Sequence, residues 1–443
     1  MPVPVWKTDA PDFEAKLSAL IQRLSLEEGL RAAGARAEEP PLDAVRRVMA
    51  DVRLRGDAAL IEQTRRLDGC ALTPERLRVS DDEIAEAVAR CPAALSEALG
   101  LAVGRVRRFQ ESILLKDPEP LRDGGRVCSI RYRPVDSAGV YIPGGTASLA
   151  STVVMAVVPA RVAGVPRVAM ATPPRADGSV SDDRLAAARL AGVDEVYRLG
   201  GAVAVAALAY GTESVPAVDF VAGPGNIYTT LAKREVFGQV GVEMLPGPSE
   251  IVVIADGSAE RGFVAADMLS QAEHDPGSAV LLTDDADLAE GVRAELECQV
   301  ASLPRAAAAR ACLERYGAVI IAATLEECVE LANRLAPEHV EVLAREPEAV
   351  AEGIRHAGAI FLGPWTPEPT GDYVAGPSHI LPTSRTARFA SGLSCNDFLK
   401  RSSVIRYDAA ALAEDAPVIA AIARAEELEA HARSVERRLK KEP

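Results

Sequence analysis

The chain has 443 residues, and its 64 acidic and 49 basic residues give a formal net charge of −15. This length predicts two or more domains with large buried cores. The acidic balance, with no basic run interleaved with aromatic residues, argues against nucleic acid as a partner. No signal-peptide pattern or membrane-spanning apolar stretch is present, and the seven scattered cysteines form no Cys-x-x-Cys pair. We therefore expect a soluble cytoplasmic protein that is not associated with a membrane.

In the first part of the chain, apolar residues recur at three- and four-residue spacing across residues 15–30, 42–67 and 81–109. This pattern predicts helices there. A strand-like stretch at Cys128–Pro134 precedes the first α/β unit. There Val140-Tyr141-Ile142 ends a strand, Pro143-Gly144-Gly145 forms a turn, and Thr146 caps a helix through residues 153–165. Strands and helices then alternate, with strands at 168–171, 195–199 and 220–222 and helices at 182–191 and 202–210. This alternation predicts a doubly wound parallel sheet that binds a nucleotide.

A second α/β series follows Gly247-Pro248-Ser249. Its predicted strands are 250–255, 279–283, 318–322 and 340–343, and its predicted helices are 263–271, 288–303 and 325–334. Beyond Gly371 the sequence favours loops, and residues 417–441 predict one long charged amphipathic helix. The fold class is therefore α/β, with two successive, incomplete Rossmann-like parallel sheets, a helical N-terminal region and a C-terminal helical arm.

Two glycine-rich turns follow strands of the first sheet, at Pro143-Gly144-Gly145-Thr146 and Gly223-Pro224-Gly225-Asn226. Glycines there permit close backbone approach, and the helix N-terminus behind each turn favours phosphate. The sequence lacks Gly-x-Gly-x-x-Gly, so a phosphate site and a plain tight turn both remain open.

Four of the five histidines stand close to carboxylate or amide residues. Gln271 and His274, three apart, either share a metal ion or leave the histidine to stabilise a helix dipole. Asp372 and His379 share a loop, and His431 lies on the last predicted helix. The remaining histidine, His356, has no such neighbours and indicates a surface or packing role.

Glu338 and His339 stand between Pro337 and a predicted strand. A carboxylate and an imidazole at the mouth of a sheet are suited to proton transfer in catalysis. Adjacent strand residues point to opposite faces, however, so the sequence does not decide whether the two side chains meet.

Together these segments resemble the histidinol dehydrogenase family over nearly the whole chain. The resemblance is carried by Tyr141-Ile-Pro-Gly-Gly-Thr146, Gly223-Pro-Gly-Asn226, Gly247-Pro-Ser-Glu250, Ser270-Gln-Ala-Glu-His-Asp275, Ala336-Pro-Glu-His-Val340, Gly371-Asp-Tyr373 with His379, Arg388-Phe-Ala-Ser-Gly-Leu-Ser394, Asp397-Phe-Leu-Lys-Arg401 and the Glu426 to His431 segment. It implies oxidation of L-histidinol to L-histidine through L-histidinaldehyde, with two NAD consumed and one zinc ion per subunit, as the last step of histidine biosynthesis.

The resemblance also implies roles for individual residues. His339 would be the general base that takes the alcohol proton, and Glu338 would activate water for hydration of the aldehyde. The implied zinc ligands are Gln271, His274, Asp372 and His431. The implied substrate-binding residues are Ser249, Gln271, His274, His339, Asp372, His379, Glu426 and His431.

The implied NAD contacts are Tyr141 and Asn226, and one position departs from the family pattern. Where the family usually has Gly-Gly-Ala-Gln, with the glutamine touching NAD, this chain has Gly200-Gly201-Ala202-Val203. A valine side chain neither donates nor accepts a hydrogen bond, so we expect weaker or altered NAD binding with activity retained.

The resemblance further implies a homodimer with shared active sites. The expected domains are an N-terminal helical segment (1–37), a larger α/β domain with the catalytic and metal residues (38–140 plus 249–393), an inserted Rossmann-like NAD-binding domain (141–248), and a C-terminal helical arm exchanged in the dimer (394–443). The charged faces of the last predicted helix suit an arm that packs away from its own sheets.

Three other functions remain open at this point. One is a related zinc-linked alcohol dehydrogenase acting on another polyol or a sulfonated alcohol. A second is a metal-dependent hydrolase, in which Glu338 would activate water without nicotinamide. The third is a catalytically silent metal-binding or regulatory protein. NADH formation from histidinol would separate histidinol oxidation from these three alternatives.

Overall fold

The computed structural model describes residues 3–25, 27–28, 39–144, 149–245, 247–274 and 277–439. The helices are Phe13–Arg23, Pro41–Arg55, Asp57–Asp68, Pro74–Leu77, Asp81–Arg90, Ala93–Ile113, Ala150–Val162, Asp182–Ala191, Gly201–Tyr210, Ile227–Val236, Arg261–Ala272, Ala286–Val300, Ala306–Tyr316, Leu325–Leu335, Pro347–Ala351, Pro369–Tyr373, Ala409–Ala425 and Glu429–Leu439. The strands are β1 (Val5–Lys7), β2 (Leu121–Asp123), β3 (Arg126–Pro134), β4 (Ser137–Tyr141), β5 (Arg167–Thr172), β6 (Glu195–Arg198), β7 (Phe220–Ala222), β8 (Gly241–Val242), β9 (Ser249–Ala255), β10 (Gly277–Thr283), β11 (Ala318–Ile321), β12 (His339–Leu343), β13 (Ala359–Leu362) and β14 (Leu399–Tyr407).

The chain forms two compact units. The first comprises Met1–Ile113 and Asp136–Phe398, and the second comprises Leu114–Val135 and Leu399–Pro443. The predicted division into four domains is a separate question and stays a prediction.

The first parallel sheet has the strand order β6-β5-β4-β7-β8. Its first strand, β4, is central, and the chain winds outward to one side through β5 and β6 before crossing to β7 and β8. The direction therefore reverses between β4 and β7, which is the position where doubly wound sheets bind ligands. The helices Ala150–Val162 and Gly201–Tyr210 are buried around almost their whole circumference, since both are apolar on every face.

The second parallel sheet has the order β1-β11-β10-β9-β12-β13. Its winding repeats that of the first sheet, with β9 central and the reversal between β9 and β12. The prediction of two successive doubly wound sheets is therefore confirmed. The N-terminal strand β1 adds an edge strand that the sequence did not predict, because three residues are too few to show a period.

The second compact unit contains the antiparallel sheet β14-β3-β2 and the two last helices. Arg126 on β3 is bonded to Asp415, with Nη2 2.6 Å from Oδ1, which ties the sheet to the helix Ala409–Ala425. Residues Ala420, Ala423 and Ala432 form the apolar contact between the two helices. The predicted C-terminal helical arm is thus present.

Several segments that were predicted as single helices form two helices separated by a turn. Residues 42–67 form two helices because Gly56 between them has φ +55°, which favours glycine. Residues 81–109 also form two helices, since Pro92 keeps Cys91 extended. The predicted single helix at 417–441 was wrong: a turn with Glu427 at φ +60° separates two helices. The predicted positions Leu30, Gly145, Thr146 and Lys441 lie outside the described residues.

The sequence also missed β8, β13, β14 and the helix Ala306–Tyr316. Strand β14 is mostly exposed and polar, so it shows no alternation of apolar residues. Among the described residues, no single helix is long and apolar enough to cross a membrane. The helices Asp81–Arg90 and Ala93–Ile113 meet the requirements of length and composition only as a pair bent by 111°.

Candidate active site

The predicted catalytic residues lie at the amino-terminal edge of the second sheet. Ser249 and His339 are the first residues of β9 and β12, which pair in parallel, so both strands begin at the same edge. Glu338 immediately precedes β12. Gln271 lies near the end of the helix Arg261–Ala272, which leads into β10 at the same edge. The fold thus brings together side chains that are up to 90 residues apart in sequence.

Glu338 and His339 both contact Glu250, a residue to which the sequence assigned no role. The Glu250 backbone N–H donates to Glu338 Oε2 at 3.1 Å, and the Glu250 carbonyl oxygen lies 3.1 Å from His339 Nδ1. Glu338 Oε2 is 3.7 Å from His339 Nδ1. The two neighbouring side chains therefore meet, because Glu338 precedes the strand and is not bound by strand alternation.

Burial controls the protonation of both carboxylates. Burial, followed by the nearby charge of Glu250, raises the pKa of Glu338 well above its usual range. Burial also raises the pKa of Glu250 to about 8, although the Ser384 backbone N–H donates to its Oε1 at 3.0 Å. Glu338 consequently holds its proton to a higher pH than an exposed glutamate does.

His339 has the protonation state that a general base requires. A carbonyl oxygen only accepts hydrogen bonds, so the contact with the Glu250 carbonyl assigns the ring proton to Nδ1 and leaves the lone pair on Nε2. The residue is 4% exposed, and burial lowers the pKa of its side chain to about 4 despite the opposing charge of Asp372. The imidazole is therefore neutral near pH 7, with Nε2 free to take a proton.

Potential metal ligands are gathered beside this pair. Ligand atoms of His339, Glu368 and Asp372 all lie within 4.8 Å of one another. Gln271 is buried, and its Oε1 has no hydrogen-bond partner among the described residues. Burial lowers the pKa of His274, whereas Asp372 raises it, which shows that the Asp372 charge acts on this imidazole. The unpartnered amide oxygen, the carboxylate and the nitrogen donors fit a divalent ion such as zinc.

Glu368 is a site residue that the sequence missed. It is buried, and its Oε1 lies 3.6 Å from His339 Nε2 and has no hydrogen-bond partner in the described part of the chain. Burial, followed by the charge of Asp372, raises the pKa of Glu368 to about 8. The four-residue spacing between Glu368 and Asp372 was the available signal, since it places two carboxylates on one side of a helical turn.

His379 joins this site to the first sheet. Its Nδ1 lies 2.9 Å from the Asp372 carbonyl oxygen, and its Nε2 lies 3.1 Å from the Thr152 hydroxyl. Nδ1 therefore donates to the carbonyl, and Nε2 accepts from Thr152 on the helix that follows β4. Asp372 lies in the helix Pro369–Tyr373 and not in the predicted loop, and His379 links this helix to the helix that follows β4. Ser249 is half-buried at the start of β9.

Two predicted site residues lie in the second compact unit. Glu426 directly follows the helix Ala409–Ala425, and His431 lies in the helix Glu429–Leu439. Both are exposed within that unit. Their assignment to the site therefore stays a prediction.

A cavity of about 900 Å³ lies at the carboxyl ends of the strands in the first sheet. Tyr141 at the end of β4 lines it, and its hydroxyl accepts a hydrogen bond from the Gly201 backbone N–H at 3.0 Å. Asn226 also lines it and caps the helix Ile227–Val236, since its Oδ1 accepts from the Tyr228 N–H at 3.0 Å. Val203 is 1% exposed in the apolar core and is not among the described residues that line the cavity.

The second glycine-rich turn is held by a buried ion pair. A Cβ atom at Gly223, which has φ +119°, would lie 2.1 Å from the Tyr141 carbonyl oxygen, so only glycine fits. Lys233 Nζ donates to the Gly223 carbonyl oxygen and to Glu243 Oε1, each at 2.5 Å. Glu243 Oε1 in turn accepts from the Gly223 N–H at 2.7 Å. Both polar backbone atoms of Gly223 are therefore fixed, and with them the approach to Asn226.

The chain is similar to known proteins over nearly its whole length. The family model described as histidinol dehydrogenase matches residues 33–439. The chain is 48% identical over 432 residues to histidinol dehydrogenase from Ruegeria pomeroyi, covering 97% of each chain. It is 49% identical over 434 residues to histidinol dehydrogenase from Cereibacter sphaeroides, covering 98% of this chain and 97% of the relative. A crystal structure of histidinol dehydrogenase from Elizabethkingia anophelis superposes with a TM-score of 0.90 at 34% identity, covering 98% of both chains.

Proposed function

The chain belongs to the histidinol dehydrogenase family and is therefore an oxidoreductase, and we propose that it oxidises L-histidinol to L-histidine through L-histidinaldehyde, the last step of histidine biosynthesis. The observation that carries this proposal is the buried Glu338–His339 pair, which lies beside the donors Gln271 and Asp372. Each turnover removes four electrons, so two molecules of NAD are reduced and one water is consumed.

His339 acts in the first oxidation. Its Nε2 takes the proton of the substrate hydroxyl while the carbinol carbon gives a hydride to NAD, and an aldehyde results. The hydrogen bond from Nδ1 to the Glu250 carbonyl keeps the lone pair on Nε2 throughout. Of the groups around His339, Asp372 contributes most to stabilising the protonated imidazole that forms, through its charge.

Glu338 acts between the two oxidations. An aldehyde has no hydride to give toward a carboxylic acid until water has added to it. Glu338 in its ionised form takes a proton from that water, which then adds to the aldehyde carbon. The hydrate gives its hydride to a second NAD and becomes the carboxylate of histidine. The Glu250 N–H, which donates to Glu338 Oε2, fixes the orientation of the carboxylate.

Gln271, His274 and Asp372 would hold a zinc ion together with His431. When bound, zinc supplies a Lewis acid that orients the imidazole and amine of the substrate. Ser249, His379 and Glu426 would complete the substrate site. The unpartnered Oε1 atom of buried Gln271 supports this assignment, because a buried amide oxygen without a partner is rare in proteins.

NAD would occupy the cavity of the first sheet. Tyr141 and Asn226 line that cavity at the carboxyl ends of β4 and β7, next to the reversal of strand order where such sheets bind nucleotides. Val203 packs in the apolar core and does not line this cavity among the described residues, so the contact that glutamine gives in other members is absent from its side chain. Weaker NAD binding with retained activity is the expected consequence.

The functional assembly would be a cytoplasmic homodimer with shared active sites. Exposed apolar side chains on the second compact unit, including Leu121, Ile405, Val418 and Ile422, support an exchanged arm that is covered by a partner. The domains 1–37, 38–140 with 249–393, 141–248 and 394–443 remain part of this proposal. Nucleic acid and membranes have no part in it.

Steady-state turnover of L-histidinol with NAD is the direct test. We expect two NADH for each histidine formed, and we expect a zinc chelator to abolish the reaction and added zinc to restore it. NAD-independent hydrolysis would instead favour a hydrolase. A chain that binds zinc but forms no NADH from histidinol would favour a silent metal-binding protein or a dehydrogenase for another alcohol.

The pH dependence of the second half-reaction is a further prediction. Glu338 is inactive while protonated, and its pKa is raised, so kcat/KM for histidinaldehyde should increase as the pH rises through that raised pKa, at higher pH than for an exposed glutamate. His339, with a pKa of about 4, is neutral over this whole range and adds no change. Glu338→Gln should lower the rate by about two to three orders of magnitude and remove the pH-dependent rise. A rise that persists in Glu338→Gln would assign it to another group.

A further inference from the structure

Asp68 is a carboxylate in the cavity of the first sheet to which neither the sequence nor the proposed mechanism assigns a role. It ends the helix Asp57–Asp68, is half-buried, and lines the cavity together with Tyr141 and Gly200. Its side chain has no hydrogen bond or ion pair within the described part of the chain. Neither oxygen belongs to the described polar atoms that are both unpartnered and cut off from solvent, so a ligand can reach both. The cavity wall therefore offers two accessible acceptor atoms without a partner.

The charge of Asp68 is not compensated by the described groups around it. Burial raises the pKa of Asp68 to about 6, and no cation among the described residues lowers it. The carboxylate is consequently ionised for the most part at pH 7, with a half-buried charge that no protein donor in the described ranges stabilises. A ligand that brings O–H or N–H donors to this carboxylate would stabilise it.

The position of Asp68 in the fold indicates which donors it would meet. A Cβ atom at Gly200 would lie 3.1 Å from both carboxylate oxygens of Asp68 and 2.9 Å from Pro173 Cβ. Gly200 follows β6 and precedes the helix Gly201–Tyr210, and Pro173 directly follows β5. Asp68 thus lies beside the carboxyl ends of β5 and β6, the second and third strands of this sheet in chain order. In doubly wound sheets, a carboxylate near the end of the second strand binds the 2′-hydroxyl of the adenosine ribose.

We propose that Asp68 accepts hydrogen bonds from the hydroxyl groups of the adenosine ribose of NAD and thereby disfavours NADP, which carries a phosphate on the same ribose. The two oxygens of the carboxylate match the two neighbouring hydroxyls of the ribose. Asp68 comes from a helix that precedes the sheet in the chain, so no spacing from a glycine turn could reveal it. The inference rests on the proposed function for the presence of NAD in this cavity.

The other charges of the cavity do not by themselves exclude a further phosphate. The described residues that line it include four arginines and two carboxylates, which are Arg47, Arg66, Arg175, Arg184, Glu39 and Asp68. An excess of positive charge in a concave site favours anionic ligands. Discrimination against NADP therefore needs a local contact. A carboxylate at the ribose supplies one, because it accepts from the 2′-hydroxyl of NAD but repels the 2′-phosphate of NADP.

The experiment measures equilibrium binding of NAD and NADP to the full-length protein by calorimetry, in the presence of zinc and without histidinol. Asp68→Asn keeps the size of the side chain and removes its charge. Asp43→Asn is the matched control, because Asp43 is an exposed carboxylate of the helix Pro41–Arg55 and is not among the described residues that line the cavity. Thermal unfolding verifies that each variant is folded. Asp68→Asn should unfold at the wild-type temperature or above it, because it removes an uncompensated half-buried charge.

The wild type should bind NAD more tightly than NADP. Asp68→Asn should weaken NAD binding by about threefold to thirtyfold and lower the ratio of NAD affinity to NADP affinity by about tenfold or more, whereas Asp43→Asn should change neither.

Three results would overturn the inference. The first is a folded Asp68→Asn variant that binds NAD within twofold of wild type. The second is a folded Asp68→Asn variant that keeps the wild-type affinity ratio within twofold, since equal losses would place the carboxylate away from the adenosine ribose. The third is a wild type with no preference for NAD. Wild-type protein that prefers NAD through Asp68 but does not oxidise histidinol would refute the proposed function and leave this inference intact.

Discussion

Replacing His339 by Asn should lower kcat for histidinol oxidation by about two to four orders of magnitude, with a much smaller change in KM. Asparagine retains an N–H group that can donate to the Glu250 carbonyl, but it has no basic nitrogen at the position of Nε2. The alcohol proton then has no acceptor when the hydride leaves. Steady-state kinetics with histidinol and NAD measures the effect.

His356→Asn is the matched control for this variant. His356 lies outside the site and is half-exposed, and its backbone N–H rather than its ring contacts Asn333. The control should keep wild-type kcat. Thermal unfolding of both variants separates loss of the base from loss of the fold. A folded His339→Asn enzyme with wild-type kcat would show that another group takes the proton.

The sequence identified Glu338 and His339 as a candidate catalytic pair, but it did not predict the protonation of either side chain. Glu338 and His339 were identifiable as a carboxylate and an imidazole before a strand. Their pKa values depend on Glu250, which lies nearly 90 residues earlier in the chain and reaches them only because β9 pairs with β12. Glu250 was hidden in sequence because it stands in an otherwise apolar strand, where a lone carboxylate gives no periodic signal. Burial and strand order are tertiary properties.

The cofactor cavity shows the same division between local and tertiary information. The glycine turn at Gly223 was recognisable, since glycines after a strand indicate close backbone approach. The sequence did not show that Lys233 and Glu243 hold this turn in place, because the residues of a buried ion pair cannot be told from surface charges in a sequence. Arg184 likewise reads as one of many helical arginines until the fold places it in the cavity wall. Only the fold shows that these charges are buried and not solvated.

Mixing two inactive variants should restore activity if the C-terminal arm completes the partner's site. His431→Asn removes an expected zinc ligand, and His339→Asn removes the base, so each homodimer should lose nearly all activity. In a mixed dimer with exchanged arms, one site carries both substitutions and the other carries neither. Random reassortment of equal amounts then yields about a quarter of the wild-type sites.

The alternative arrangement gives a different number. If each arm served its own subunit, every site in the mixture would carry one defect, and no activity would return. Each variant alone, taken through the same dissociation and reassociation, is the control for refolding losses. Zinc content supplies a readout independent of turnover: His431→Asn and a chain lacking residues 426–443 should both fail to retain zinc, whereas His339→Asn should retain it. A truncated chain with full zinc and full activity would exclude the arm from the site, because a ligand that is absent cannot hold the ion.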